Sequence, residues 1–179
     1  MILINISDNV QLELITVDSH SRLVKLIQRI YPPAYKHLWK NEDCSFYINT
    51  FYNLEQLQTE LLEKATEYYF VIYENEPVGI CKIQFNKPLK TIETGTYIHR
   101  IYLGSEAQGK GIAKTIFNWI EIRAKENNNN LLWLKAMDTQ EQAIKFYIKQ
   151  GFKINGKTSL DFNLLHEPLR GMLIMTKEI

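Results

Sequence analysis

Hydrophobic positions along the chain alternate between two spacings. Dense or every-second-residue runs predict strands, and runs with apolar residues three and four apart predict helices. Val10 to Val17 alternates roughly and reads as a first strand. Asp18 and Ser19 are capping residues ahead of a helical pattern, Leu23, Val24, Leu26, Ile27 and Ile30, which Pro32-Pro33 should end. Tyr31 to Phe51 is aromatic-rich and reads as helical pieces. Asn53 can cap a further helix, Leu54 to Lys64, with Leu54, Leu57, Leu61 and Leu62 on one face. Tyr68 to Tyr73 and Val78 to Phe85 are β-type runs joined by a turn at Asn75-Glu76-Pro77. Asn86 to Gly95 reads as a loop or short extension, and Tyr97 to Leu103 as the next strand. A helix over Ile112 to Lys125 places Ile112, Ile116, Ile120 and Ala124 on one stripe, with Ala113 and Phe117 beside it. The polar run Asn127 to Asn130 ends it, a strand follows at Leu131 to Ala136, and a second helix carries Ala143, Phe146 and Tyr147. Phe152 to Ile154, Leu160 to Leu164 and Leu169 to Lys177 read as the last strands. With no repeat and no linker, the pattern predicts one α/β domain over residues 1–179, built on a mixed sheet.

Composition narrows the function. The 179 residues are 45% apolar, enough for one core, and the net charge of +1 announces no nucleic-acid face. No apolar run approaches a membrane span, and Met1-Ile2-Leu3-Ile4 is too short for the core of a signal peptide. Cys44 and Cys81 have no metal or redox spacing and are expected to be reduced fillers in a cytoplasmic protein. His20, His37, His99 and His166 are scattered, so no metal site is expected.

The candidate chemistry centres on Gln108-Gly109-Lys110-Gly111-Ile112-Ala113, between a predicted strand and a predicted helix. Glycines there leave backbone N–H groups bare at a helix N-terminus, which suits phosphate; a plain tight turn into a helix is the alternative. A Walker A loop fits poorly, because Gln108 and Ala113 occupy its glycine positions ahead of Lys114-Thr115. A dinucleotide fingerprint fits no better, since Lys114 stands where its third glycine belongs.

The order strand, Q-x-x-G-x-A, helix, strand, A-x-x-F-Y-x-x-x-G-F, from about Tyr97 to Phe152, resembles the GNAT superfamily of acyl-CoA N-acyltransferases. The resemblance implies a mixed, mostly antiparallel central sheet flanked by helices. It implies acetyl-CoA as cosubstrate, its pyrophosphate on the amides of Gly109, Lys110, Gly111, Ile112 and Ala113 next to Gln108. Lys110 or Lys114 could add charge or simply be solvated. Ile101, Tyr102 and Leu103 would pair with the pantetheine arm through their backbone. Relatives often place an asparagine where this chain has Gln140, which can still reach an amide. A homodimer is left open.

The same resemblance implies direct acetyl transfer to a primary amine in a ternary complex. The amine, with a pKa near 10, must shed a proton, and the leaving thiolate must gain one. Tyr147, from the F-Y pair, is the candidate acid; a core aromatic is the alternative. Relatives carry a glutamate at the positions of His99 or Tyr97, which lie two apart on one strand face. His99 is therefore the candidate base, directly or through water, and the ordinary histidine value puts its pH step near 6.5. Arg100 points the other way and is expected to be structural. Tyr31, Tyr35, Trp39 and Tyr97 are candidates for the acceptor site, with Phe46 and Tyr47 nearby. A small-molecule amine or polyamine is the expected acceptor. A peptide or protein N-terminus, or a CoA-binding module without transfer activity, are the alternatives.

Overall fold

The computed structural model describes residues 2–90 and 93–179. Met1 and the pair Thr91-Ile92, inside the expected Asn86–Gly95 loop, lie outside the described residues. Among the described residues the strands are β1 (Leu3–Asn5), β2 (Val10–Leu14), β3 (Thr66–Tyr73), β4 (Glu76–Lys90), β5 (Glu93–Leu103), β6 (Leu131–Met137), β7 (Lys153–Ser159) and β8 (Gly171–Glu178). The helices are α1 (His20–Tyr35), α2 (Ser45–Phe51), α3 (Leu54–Leu62), α4 (Ile112–Glu126) and α5 (Glu141–Lys149). The strands form one sheet in the order β1-β2-β3-β4-β5-β6-β8-β7, antiparallel throughout except for β5 and β6. A parallel neighbour needs a crossover, and α4 supplies it. This is the mixed, mostly antiparallel sheet flanked by helices that the resemblance implies.

The sheet separates two apolar layers. Ile112, Ile116, Phe117, Ile120 and Ala124 of α4 pack on Leu12, Val71, Cys81, Ile83 and Ile98. On the other face, Leu23, Leu26, Ile27 and Ile30 of α1, with Ile48 and Leu57, pack on Tyr68, Phe70, Ile72 and Ile80. The stripe read from the sequence of α4 is therefore its buried face. Both cysteines are free and buried.

Several boundaries depart from the sequence reading for identifiable reasons. α1 runs through Pro32 and Pro33 to Tyr35. Each proline removes one N–H, orphaning the carbonyls of Gln28 and Arg29. Both residues are exposed, so water can satisfy them, while Tyr31 packs inward and the Lys36 N–H closes on the Pro32 carbonyl. In α3, Asn53 caps as expected, accepting from Gln56 N at 2.8 Å. Leu54 and Leu62 face solvent, however, and Leu57 and Glu60 are the buried positions. The β3–β4 turn falls at Glu74-Asn75, both at positive φ, one step before the expected site. The expected loop at 86–95 is largely hairpin, since β4 and β5 continue to pair through Lys87↔Gly95 and Pro88↔Thr94. Leu160 to Leu164 is not a strand; residues 160–170 form a loop tied to residues 38–40.

Glu60 is buried because it has partners. Its carboxylate meets Arg100 at 2.7 Å and Lys82 at 3.0 Å, each buried on the α3 face of the sheet. Burial alone would raise this carboxyl; the Arg100 guanidinium, followed by the Lys82 ammonium, outweighs it and brings the value down to about 2. Arg100 is thus structural, as expected. Removing one partner of a buried charge cluster costs about 3–5 kcal/mol, because the others stay buried and unpaired. Glu60→Ala is predicted to lose stability on that scale in urea unfolding, while Glu141→Ala at the surface changes it by less than ~0.5 kcal/mol. A Glu60→Ala loss as small as the surface control would contradict the assignment.

Candidate active site

The site starts from an irregularity in β5. Lys82 pairs with Arg100, and the next residue of β4, Ile83, pairs with Ile98. His99 has no counterpart and is the extra residue of a β-bulge. A bulge bends its strand and sharpens its twist. The consequence is visible on the other edge of β5. Pairing with β6 covers only Thr96–Ile98 against Leu132–Leu134, yet β5 continues to Leu103 and β6 to Met137. Beyond the bulge the two strands diverge, and the β6-facing edge of Arg100–Leu103 is open. An open strand edge offers backbone donors and acceptors to any extended amide-bearing group.

At the end of β5 the chain turns through Gln108 to Gly111 into α4. Gly109 and Gly111 sit at φ +72° and +74°, the left-handed region that suits glycine, and no atom lies within 4 Å of where a Cβ would stand. Gly111 is the N-cap of α4 and no side chain caps its first turn. The leading N–H groups of the helix therefore point out with the positive end of the dipole behind them. Ile112 is buried, so this terminus is anchored from beneath. The residues present fit a pyrophosphate: bare amides, room above two glycines, and no carboxylate cap. Lys110 lies 4.5 Å over the Tyr73 ring, which accounts for its side chain without an anion. Lys114 is exposed.

A cavity of about 290 Å³ occupies the mouth of the wedge. It brings together Tyr97, His99, Ile101, Tyr102, Gln140 and Tyr147 with Tyr31, Tyr35 and Trp39. Leu103 and the 108–113 loop are not part of its wall; they continue the open edge outward. Phe46 also stays outside, packed against Trp39 and Phe162. Tyr47, Phe51 and Phe162 do line the cavity. Phe162 was invisible to the sequence reading, because its segment was read as a strand.

Several of the lining groups have altered acidity, Tyr147, Tyr35 and His99 among them. Burial pushes the Tyr147 hydroxyl up to about 12, and its ring packs among Phe117, Phe146 and Phe152. The Tyr35 hydroxyl is raised too, by burial and then by the neighbouring Tyr147. His99 moves the other way. Burial first, then the positive charges of Arg100 and Lys82, lowers its imidazole from 6.5 to about 3. Its Nδ1 is buried without a hydrogen-bond partner among the described residues, and its ring stacks on Tyr97 at 5.2 Å. Tyr97 in turn stacks on Trp133 at 3.9 Å. Gln140 is the N-cap of α5 and stands at the wedge, next to Ala143 in the cavity wall.

Among the described residues no cluster of histidine, cysteine or carboxylate side chains could hold a metal ion, and no helix is long and apolar enough to cross a membrane.

Comparison with known proteins adds to this geometry. Residues 22–152 match the acetyltransferase (GNAT) family. An uncharacterized N-acetyltransferase in the pepI 3′ region of Lactobacillus delbrueckii subsp. lactis is 27% identical over 112 residues, 62% of this chain and 65% of that protein. The peptidyl-lysine N-acetyltransferase YjaB of Salmonella typhimurium is 26% identical over 108 residues, 60% of this chain and 64% of that protein. The chain thus spans a little under two thirds of the length of these curated relatives. Among solved structures, the PaiA N-acetyltransferase of Thermoplasma acidophilum in complex with coenzyme A superimposes with a TM-score of 0.72 at 18% identity, covering 95% of this chain and 99% of that one. RimL, a ribosomal L7/L12 α-N-protein acetyltransferase in complex with coenzyme A, gives 0.75 at 15% identity, covering 99% and 98%. At these identities the superpositions show a shared fold.

The pH step near 6.5 expected of His99 is displaced by its burial. Between its unfolded value of 6.5 and its folded value of about 3, the unfolded chain binds a proton that the folded chain does not. Stability from this group is therefore full above 6.5 and declines as pH falls toward 3. The imidazole resonances of His99 are predicted not to titrate between about pH 8 and pH 5. His99→Gln should also flatten the acid side of the stability profile. A midpoint near 6.5 in the folded protein would contradict the burial argument.

Proposed function

Because the chain belongs to the acetyltransferase (GNAT) family, we propose that it is an acetyl-CoA-dependent N-acetyltransferase acting on a primary amine. The observation that carries this reading is the wedge beyond the His99 bulge. One open strand edge and one half-buried tyrosine meet at a single cavity, and the uncapped helix N-terminus lies further out along the same edge. Acetyl-CoA, when bound, supplies an activated acyl group on a thiol that can leave.

The residues would divide the work as follows. Amides of Gly109 to Ala113 hold the pyrophosphate, and the dipole of α4 favours its charge. The open edge of Ile101–Leu103 pairs with the pantetheine amides, and Gln140 faces the same arm from the start of α5. Tyr147, raised to about 12, is protonated at any working pH and can donate to the departing sulfur. His99, lowered to about 3, is neutral and has a free Nδ1. A nitrogen this weakly basic does not take up the proton; it can orient the amine or a water by accepting a hydrogen bond, and the proton leaves directly to water. The ammonium itself ionises near 10, so activity should rise with pH under the control of the substrate.

The cavity wall carries no carboxylate among the described residues, so a polyamine finds no second anionic anchor there. Neighbours of this fold include one named for a protein acceptor, RimL, and one named for microcin C7 self immunity.

Two variants test the reading. Coenzyme A should raise the melting temperature of the wild-type protein by linkage, and Gly111→Asp should abolish that shift while the fold survives. An undiminished shift in a folded Gly111→Asp protein would remove the proposed cofactor site. Tyr147→Phe should keep the shift but lower turnover by roughly ten- to ten-thousand-fold. Full turnover in that variant would reduce Tyr147 to a packing residue.

A further inference from the structure

The cavity reaches past the reacting end of the wedge into a box of aromatic rings. Tyr31 stacks on Tyr35 at 4.7 Å and on Tyr47 at 4.6 Å, and Tyr102 meets both Tyr31 and Tyr35 edge-on or tilted at 5.6 and 5.4 Å. Trp39 and Phe162 stack at 6.1 Å and line the same cavity. Four of the polar side chains in the box are already paired with each other. The Tyr47 and Tyr102 hydroxyls are 2.9 Å apart, and Trp39 Nε1 donates to the Tyr31 hydroxyl at 3.3 Å. What remains for a ligand is mainly ring faces and edges.

The far end of the box is walled by backbone. Lys40 N donates to the Leu164 carbonyl and His166 N to the Leu38 carbonyl, both at 2.9 Å, and Trp39 bridges Leu165. This ladder pins the 160–170 loop across the end of the cavity. Leu38, Trp39 and Leu165 of this ladder line the cavity, and a wall held in this way suits a compact group better than a continuing polypeptide. A volume of about 290 Å³ also suits a small molecule. Charge points the same way. The charged side chains in the wall are the paired Arg100 and the exposed Lys135, and none is a carboxylate among the described residues. A second ammonium on the acceptor would be buried unpaired, which is costly.

We propose that the acceptor is a small primary amine carrying one aromatic ring and no second charge, an arylalkylamine. Its ring lies in the cavity against the aromatic wall that includes Trp39, Tyr47 and Phe162, and its amino group lies toward His99 and Tyr147. The inference rests on the transferase reading above and narrows its substrate class. In the reaction the amine nitrogen forms a bond to the acyl carbon and the C–S bond breaks. The amine's proton leaves through water, and the thiol is released carrying a proton.

The test measures thiol release from acetyl-CoA with 2-phenylethylamine, with spermidine, and with a short peptide bearing a free N-terminal serine. Calorimetry of 2-phenylethylamine on the coenzyme A-loaded protein is run alongside. The expected result is a kcat/KM for 2-phenylethylamine at least about tenfold above the other two, the scale of ring contacts to a bound aromatic cation. Phe162→Ala should erase that preference and leave the coenzyme A melting shift intact. Phe162→Glu, which adds an anionic anchor, should swing preference toward spermidine. A preference for spermidine or the peptide in the wild-type protein would overturn the inference and leave the transferase reading standing. Absence of both turnover and calorimetric binding of 2-phenylethylamine would overturn it too. Turnover of spermidine or the peptide in that case leaves the transferase reading standing, and loss of the coenzyme A shift removes that reading together with the inference.

Discussion

His99 is inserted into the β4–β5 ladder without a partner, and the shape of the site follows from that one extra residue. Had the register run on unbroken, β5 and β6 could have stayed hydrogen-bonded along their length, and the sheet would have had no internal opening. Instead pairing stops at Ile98↔Leu134, and the strands part. The bulge also redirects side chains. Ile98 joins the core under α4, whereas Arg100 and Tyr102 turn toward the helices on the opposite face. A single backbone irregularity thus creates the open edge, aims His99 at the cavity and sends Arg100 to Glu60.

The charges behind the bulge keep it in place and set the acidity in front of it. Glu60, Lys82 and Arg100 are each almost fully buried and tie α3 to β4 and β5. The loss of water, then the positive charges of Arg100 and Lys82, hold His99 neutral. Tyr147, across the cavity, is held protonated by burial alone. A neutral hydrogen-bond acceptor and a protonated donor facing one pocket would suit the proposed reaction, in which the amine loses its proton to water and the leaving thiolate gains one.

Local signals carried most of what was legible in the sequence. The α4 stripe, the Asn53 cap and the glycine turn at 109–111 each depend on neighbouring residues, and the structure keeps them where the sequence puts them. Features that depend on distant contacts were not legible. β1 is three residues long and largely exposed, so Leu3–Asn5 has too little pattern to announce a strand. Pro32-Pro33 reads as a stop, and only the packing of Tyr31 and the exposure of Gln28 and Arg29 explain why α1 continues. Leu160 to Leu164 has strand-like composition, yet its backbone bonds go to residues 38–40. For that reason Phe162 joined the site only in three dimensions. The bulge has no sequence mark at all: Tyr97 and His99 read as ordinary alternate positions, and the break in register is a property of the pairing with β4.

The central claim is that acetyl-CoA lies along the edge left open by the bulge, with its pyrophosphate at the head of α4. Backbone hydrogen exchange, with and without coenzyme A, tests this most directly, because it reads the amides that would make the contacts. The account predicts slowed exchange in two segments, Ile101–Leu103 and Gly109–Ala113, with β1, β2 and the 160–170 loop unchanged. Slowed exchange confined to other segments, with 101–103 and 109–113 unaffected at saturating coenzyme A, would contradict it.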